Sequence, residues 1–282
     1  MPGFSHIPPS FLPRALACLA LCLPVWSLSV NAAEQHPDAN APLRVYLLIG
    51  QSNMAGRAQV PDDAQGVIAH VYLLDDKNKW VPARNPLNLF SSIRKAEGMQ
   101  KLGPGYGFAL AMLKQDPKQR LGLVVNARGG SNIKQWLGED AKYYKDAVAR
   151  TKAALRAPGT DGKPDAKLAG VLWHQGEYNA DKPDAYMDQL KQLIANLRED
   201  FDDPALPFVA GQIRFDPHQP INDVIAKLPD TVKHTAVASS EGLKTYDRWH
   251  FDTDSQLELG KRYAEQMLTL LAYQSADNAK AE

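Results

Sequence analysis

Four short polar blocks carry the residue types that acyl-transfer chemistry needs. They are Gly50-Gln51-Ser52-Asn53-Met54-Ala55-Gly56, Ala127-Arg128-Gly129-Gly130-Ser131-Asn132-Ile133, Trp173-His174-Gln175-Gly176-Glu177 and Tyr246-Asp247-Arg248-Trp249-His250-Phe251. A serine hydroxyl attacks a carbonyl only when a base takes its proton, an acidic group orients that base and hydrogen-bond donors stabilise the oxyanion. Histidine is the usual base, and the chain has seven. His6 falls in an apolar leader, His36 in the polar stretch after it, and His70 and His234 just ahead of strand-like runs, which leaves His174, His218 and His250. His250 follows Asp247 by three residues, a spacing that brings both side chains to one side of a turn where the carboxylate can hold one imidazole tautomer. His250 is therefore the expected base, Asp247 its orienter and Ser52 the candidate nucleophile.

Other chemistries find little support. Gly103-Pro104-Gly105-Tyr106-Gly107-Phe108 is rich in glycine, but Phe108 takes the place of the last fingerprint glycine and no strand precedes it, so a dinucleotide site is not expected. No His-Glu-x-x-His or calcium loop occurs and the histidines are scattered, so neither a metal nor another cofactor is expected. Trp136, Trp173 and Trp249 adjoin the blocks and are candidates for stacking on sugar rings, with core packing the alternative for Trp173.

The blocks follow apolar runs that read as strands. Residues 44–49, 121–126, 170–174, 207–212 and 235–239 are dominated by Val, Leu, Ile or Ala and closed by polar or glycine residues, as strands buried on both faces are. Between them, apolar residues recur at three and four over 106–115, 143–156, 184–201, 221–227 and 255–273, which predicts helices. In the last of these Leu257, Tyr263, Met267 and Leu271 are the expected core stripe. Such alternation implies a three-layer α/β/α sandwich with a parallel central sheet, whose pocket lies beyond the carboxyl ends of the strands, where the polar blocks fall. Residues 57–102 are the least regular part, with a possible short strand at 70–75, and a long insertion of this kind often shapes a substrate site.

The 282 residues hold 32 basic and 32 acidic groups and are 44% hydrophobic, which excludes collagen, coiled coil, long disorder and a multi-span membrane protein. Zero net charge without a long Lys/Arg run argues against nucleic acid as a partner. Residues 15–30 form an apolar run after Arg14, broken by Pro24 and ending at Asn31-Ala32-Ala33. It is too short for a spanning helix and reads as a cleaved secretory signal over 1–33, so a secreted or periplasmic chain free of the membrane is expected. Both cysteines, Cys18 and Cys22, lie inside it, which removes disulfides and thiolate chemistry from the mature chain. A linker over 34–42, one domain over 43–274 and a polar tail over 275–282 complete the expected organisation.

The first block is not the Gly-x-Ser-x-Gly elbow, since Met54 stands where the second glycine belongs. Its wording, together with His-Gln-Gly-Glu and Asp-x-x-His, resembles the SGNH hydrolase superfamily, and within it the sialate O-acetylesterase domain and carbohydrate esterase family six, which includes acetyl xylan esterases. The resemblance spans residues 50–252 and implies a flavodoxin-like fold and hydrolysis of O-acetyl esters on a carbohydrate through an acyl-enzyme. It implies Ser52 as nucleophile and, as oxyanion donors, the Ser52 N–H, Gly130 from the Gly129-Gly130 pair and the Gln175 amide, which replaces the superfamily's usual asparagine. Glu177 competes with Asp247 for the place of third triad member, and the Asp247–His250 spacing favours Asp247. Asn53 and Trp249 are expected to touch substrate. A broader acyl-ester hydrolase is the alternative, and the joint presence of Ser52, Asp247 and His250 argues against a silent carbohydrate-binding relative.

Overall fold

The structure is a computed structural model that describes Gly3 and residues 41–281, apart from 139, 159–164 and 215–219. Apart from Gly3, the expected leader with Cys18 and Cys22 lies outside the described residues, as does His218. Seven strands form one sheet: β1 Leu43–Gly50, β2 Val71–Leu74, β3 Trp80–Pro82, β4 Arg120–Val125, β5 Ala166–His174, β6 Phe208–Gly211 and β7 Thr235–Ala238. Their order is β3-β2-β4-β1-β5-β6-β7. Without the edge hairpin β2–β3, the remaining five run second, first, third, fourth, fifth in chain order, which is the flavodoxin-like winding.

The central strand shows why the run from Leu43 reads as continuously apolar. Val45, Leu47 and Ile49 point to one face with Val124, Val171 and Trp173, while Tyr46 and Leu48 point to the other with Leu123, Val125 and Leu172. A parallel strand flanked by β4 and β5 has no solvent face, so alternation is lost and every position from Val45 to Ile49 is hydrophobic, Arg44 at the strand's start being exposed. On the first face lie helices α3 (Lys142–Arg156), α4 (Pro183–Asp200) and α5 (Pro220–Ala226), through residues such as Ala147, Leu190, Ile194 and Ile221. On the second lie α2 (Gly105–Gln115) and α7 (Thr253–Ala281), through Phe108, Met112, Leu259, Tyr263 and Met267. Two one-turn helices, α1 (Ser52–Ala55) and α6 (Leu228–Thr231), complete the set.

The sheet departs from the expected parallel one at its edge, where β3 runs antiparallel to β2. The turn between them is built by Asp75, whose Oδ1 accepts from the N–H groups of Lys77 and Lys79, and by Asn78 at φ 56°. A three-residue strand ending on Pro82 has no periodicity to read, and proline is tolerated only at such an edge. The other corrections fall on α7. Asp252 caps its start by accepting from Ser255 N at 2.9 Å, and the helix runs on through the segment expected to be a polar tail. The buried stripe is Leu259, Tyr263, Ala264, Met267 and Leu270, so Leu257 and Leu271 flank the core instead of forming it. Among the described residues no helix is long and apolar enough to cross a membrane.

Candidate active site

The winding reverses direction at β1, and the loops after β1, β4 and β5 open there into one cleft of about 350 Å³. Gly50 ends β1 at φ 134° opposite His174 of β5, and a Cβ there would lie on the His174 carbonyl. The two backbones therefore meet with no side chain between them, and Gln51 N donates to His174 O at 2.8 Å. The chain then turns into α1, closed by Ala55 N to Gln51 O at 2.9 Å. A helix's first N–H groups have no intrahelical acceptor. Ser52 opens this helix, and its N–H is without an acceptor among the described residues.

His250 reaches Ser52 from 198 residues away, with Nε2 3.0 Å from Oγ. Its Nδ1 lies 2.7 Å from Asp247 Oδ2, while Asp247 Oδ1 accepts from the N–H groups of Trp249 at 2.7 Å and His250 at 2.8 Å. Partial burial alone would raise the Asp247 carboxyl, but the hydrogen bonds from His250 and the two amides outweigh it and hold the group below the usual carboxylate range. The turn is pinned at its base by a bridge between Thr245 and Phe251 and by Tyr246 N to His250 O at 3.0 Å. Tyr246 stacks on the imidazole with ring centres 6.0 Å apart and donates its hydroxyl to Arg57 O. In this line the carboxylate fixes Nδ1–H and leaves Nε2 to take the serine proton.

Three expected donors fare differently. Gly130 lines the cleft beside Ser52 at φ 74°, a backbone that favours glycine, and its N–H has no acceptor among the described residues. Gln175 does not reach the cleft. It is fully buried, and its Nε2 lies within hydrogen-bond distance of Gln51 Oε1, Ser131 O and Asn179 Oδ1 at 3.1, 3.2 and 2.8 Å. With its oxygen held by this bond, the Gln51 amide keeps Nε2 without a hydrogen-bond partner among the described residues, on the cleft wall next to Ser52. Of the two amides, Gln51 and not Gln175 lines the cleft. The signal in the sequence is the amide side chain immediately before Ser52.

Asn53 is also a correction. It is fully buried and all four of its hydrogen-bonding positions are used within the protein, so it does not face a ligand. Its Nδ2 donates to Glu177 Oε1 at 2.7 Å and Trp249 O at 3.1 Å, and its Oδ1 accepts from Phe251 N at 3.2 Å and Gln256 Nε2 at 3.1 Å. Among the described residues Glu177 makes no hydrogen bond to His250, and its Oε1 lies 3.9 Å from His174 Nε2. Burial pushes the Glu177 carboxyl up to about 7 against the opposing hydrogen bonds. Burial also pulls His174 down to about 3. Both are therefore neutral over the acid range, and they are neighbours rather than an ion pair. Tyr263 gives its hydroxyl proton to Trp173 O and its oxygen accepts from His174 Nδ1–H, which fixes the tautomer of a ring too buried to serve as base.

Trp249 is 37% exposed on the cleft rim under the Arg248 guanidinium, 4.6 Å from its ring centre, whereas Trp136 and Trp173 are fully buried edge to face and cannot meet a sugar. Arg57, Lys95, Met99 and Tyr178 also line the cleft and were not singled out in the sequence. Lys95 and Met99 come from the irregular 57–102 segment. Arg57 is buried, anchored through Nη1 to Gly56 O and Met99 O, and neither it nor Lys95 pairs with a carboxylate among the described residues. Burial without a counter-ion lowers the Arg57 pKa. Among the described residues no cluster of three or more His, Cys, Asp or Glu is placed to hold a metal ion.

The winding, with a cleft at its reversal, is that of the doubly wound α/β proteins, whose ligands bind beyond the carboxyl ends of the strands. Within them, residues 42–269 match the family described as carbohydrate esterase, sialic acid-specific acetylesterase, and the chain belongs to that family. A probable carbohydrate esterase of Arabidopsis thaliana is 28% identical over 266 residues, covering 86% of this chain and 97% of the relative. The X-ray structure of an Arabidopsis thaliana protein superposes with a TM-score of 0.69 at 25% identity over 81% of this chain and 98% of that one. The crystal structure of NanS (TM-score 0.62, 16% identity, 83% and 99% covered) shares the fold. So does a carbohydrate acetylesterase from Xanthomonas citri (0.57, 20%, 82% and 57%).

Proposed function

We propose that this chain is an exported serine esterase that removes O-acetyl groups from a carbohydrate through an acyl-enzyme. The observation that carries the reading is the unbroken line from Asp247 through His250 to Ser52, 2.7 and 3.0 Å per step, opening on a cleft. His250 takes the Ser52 proton as Oγ attacks the acetyl carbonyl, and Asp247 stabilises the resulting imidazolium. Charge then gathers on the carbonyl oxygen, where the Ser52 N–H, the Gly130 N–H and the Gln51 amide are the donors available. His250 returns its proton to the departing sugar oxygen, and water activated by the same nitrogen releases acetate from Ser52. The apolar run over 15–30 supports export, and the exposed Trp249 and Tyr178 rings supply faces for a saccharide.

Between a neutral and an acidic sugar, the unpaired Arg57 and Lys95 favour the acidic one, since a buried guanidinium without a counter-ion is stabilised by a substrate carboxylate. This agrees with the sialic acid in the family's description. The test is acetate release from O-acetylated sialic acid and acetylated xylo-oligosaccharide by the wild type and by Ser52→Ala. Hydrolysis is expected to fall by at least about 10³-fold in a folded Ser52→Ala protein. Activity within severalfold of wild type ends the serine reading, and a preference for the xylo-oligosaccharide ends the acidic-sugar one.

A further inference from the structure

The base and the nucleophile sit on separate pieces of chain, and the base sits on the more exposed one. Ser52 is at the start of α1 against the central strand, whereas Asp247 and His250 have side chains 41% and 20% exposed on a turn that the bridge between Thr245 and Phe251 closes on itself, outside the strands of the sheet. A catalytic distance near 3 Å needs the turn to be held relative to α1, because misplacement by about 1 Å costs on the order of 10²-fold in rate. Asn53 is the residue that spans the two. Its backbone follows Ser52 in α1, and its side chain binds Trp249 O and Phe251 N, the peptide groups on either side of His250.

Resting on the serine reading above, we infer that Asn53 is a positioning residue that sets His250 against Ser52, and that Glu177 holds Asn53 in that pose. The amide orientation is fixed by its two backbone partners: Trp249 O only accepts and Phe251 N only donates, which turns Nδ2 to Glu177 Oε1 and Oδ1 to Gln256 Nε2. Glu177 is itself 5% exposed at the end of β5, so the network fastens the turn to the sheet as well as to α1. The buried glutamate of His-Gln-Gly-Glu therefore acts on the base through one intervening amide. It needs an acceptor oxygen for this and not a charge, in keeping with a carboxyl that burial raises to about 7.

The experiment compares wild type with Asn53→Ala, Glu177→Gln and Glu177→Leu, with folding checked by near-UV circular dichroism. Three quantities are read: the rate at which a fluorophosphonate labels Ser52, kcat and KM for an aryl acetate, and the downfield NMR signal of the His250 Nδ1 proton. Asn53→Ala is expected to slow labelling and lower kcat by about 10²-fold with KM within about twofold, and to broaden the imidazole proton. Glu177→Gln keeps an acceptor for Asn53 and loses less than about fivefold, whereas Glu177→Leu approaches the Asn53→Ala loss. A folded Asn53→Ala that labels at the wild-type rate with its proton signal intact overturns the inference. So does equal loss in the Gln and Leu variants, a comparison that decides the matter if Asn53→Ala does not fold. Wild type that fails to label at Ser52 brings down the serine reading itself, an outcome separate from these.

Discussion

Two carboxyl groups stand near the cleft, and their surroundings give them opposite characters. Asp247 sits on a turn open to water, receives hydrogen bonds from His250 and two amides, and is held below the usual carboxylate range. Glu177 is closed in at the end of β5 with one amide donor on Oε1, no partner on Oε2 and a pKa raised to about 7. A charge-stabilising partner for an imidazolium must be ionised when the proton moves, and only the Asp247 side meets that condition across the whole neutral and mildly acid range. The lesson is that a carboxylate's role follows from its donors and its solvent and not from its nearness in the motif.

The sharpest break of that contrast is Asp247→Asn. The amide favours the wrong imidazole tautomer and carries no charge, so kcat should fall by roughly 10³–10⁴-fold with KM little changed. Steady-state kinetics on an aryl acetate check this, and a fall smaller than that of Glu177→Gln would reverse the two assignments. Next in size is Gln51→Ala, expected to lower kcat by about 10²-fold as one oxyanion donor is lost. Gln175→Ala should reproduce part of that loss, since it frees the Gln51 amide to turn; a Gln175 variant worse than Gln51→Ala would mean that Gln175 itself supplies the donor.

The smallest effect concerns stability. The folded pKa of Glu177 is raised above its unfolded value of 4.5, so the native state holds the proton more tightly. Its contribution is full below about pH 4.5 and lost as the pH rises through 7. Urea midpoints at pH 5 and pH 8 should show wild type losing on the order of 3 kcal/mol relative to Glu177→Gln over that window. His174, kept neutral down to about 3, contributes the opposite slope at lower pH in both proteins and cancels from the comparison. Equal changes in the two proteins would show that Glu177 is ionised throughout.

The strand runs of the sequence mark the sheet because buried parallel strands are apolar on both faces, and the polar blocks fall where each such run ends. The strand ends mark the blocks that hold Ser52, Gly130 and Glu177, the family resemblance picks the last two out of them, and the three-residue spacing marks Asp247 and His250; all but Asp247 line the cleft. The contacts of the two amides are not legible in the sequence. Whether Gln51 or Gln175 faces the cleft depends on a hydrogen bond between side chains 124 residues apart, and whether Asn53 faces substrate or protein depends on four partners from three other segments. Arg57 and Lys95 escape notice in the sequence because an isolated cation looks like any surface charge until its neighbours are known.

The distance along the chain between Ser52 and His250 also has a meaning in time. Ser52 opens the short helix directly after the first strand, while His250 lies on the last turn before the final helix, and β1 finds its sheet partners in β4 and β5, far downstream. Such long-range pairing makes folding slow. A chain emerging in order from its N-terminus holds Ser52 long before it holds the histidine proposed to activate it. On the proposed pairing of Ser52 with His250, turnover begins only after the C-terminal helix has been made and has packed against the sheet, so activity reports completion of the domain, and a chain that stops between α1 and Thr245 carries Ser52 without His250.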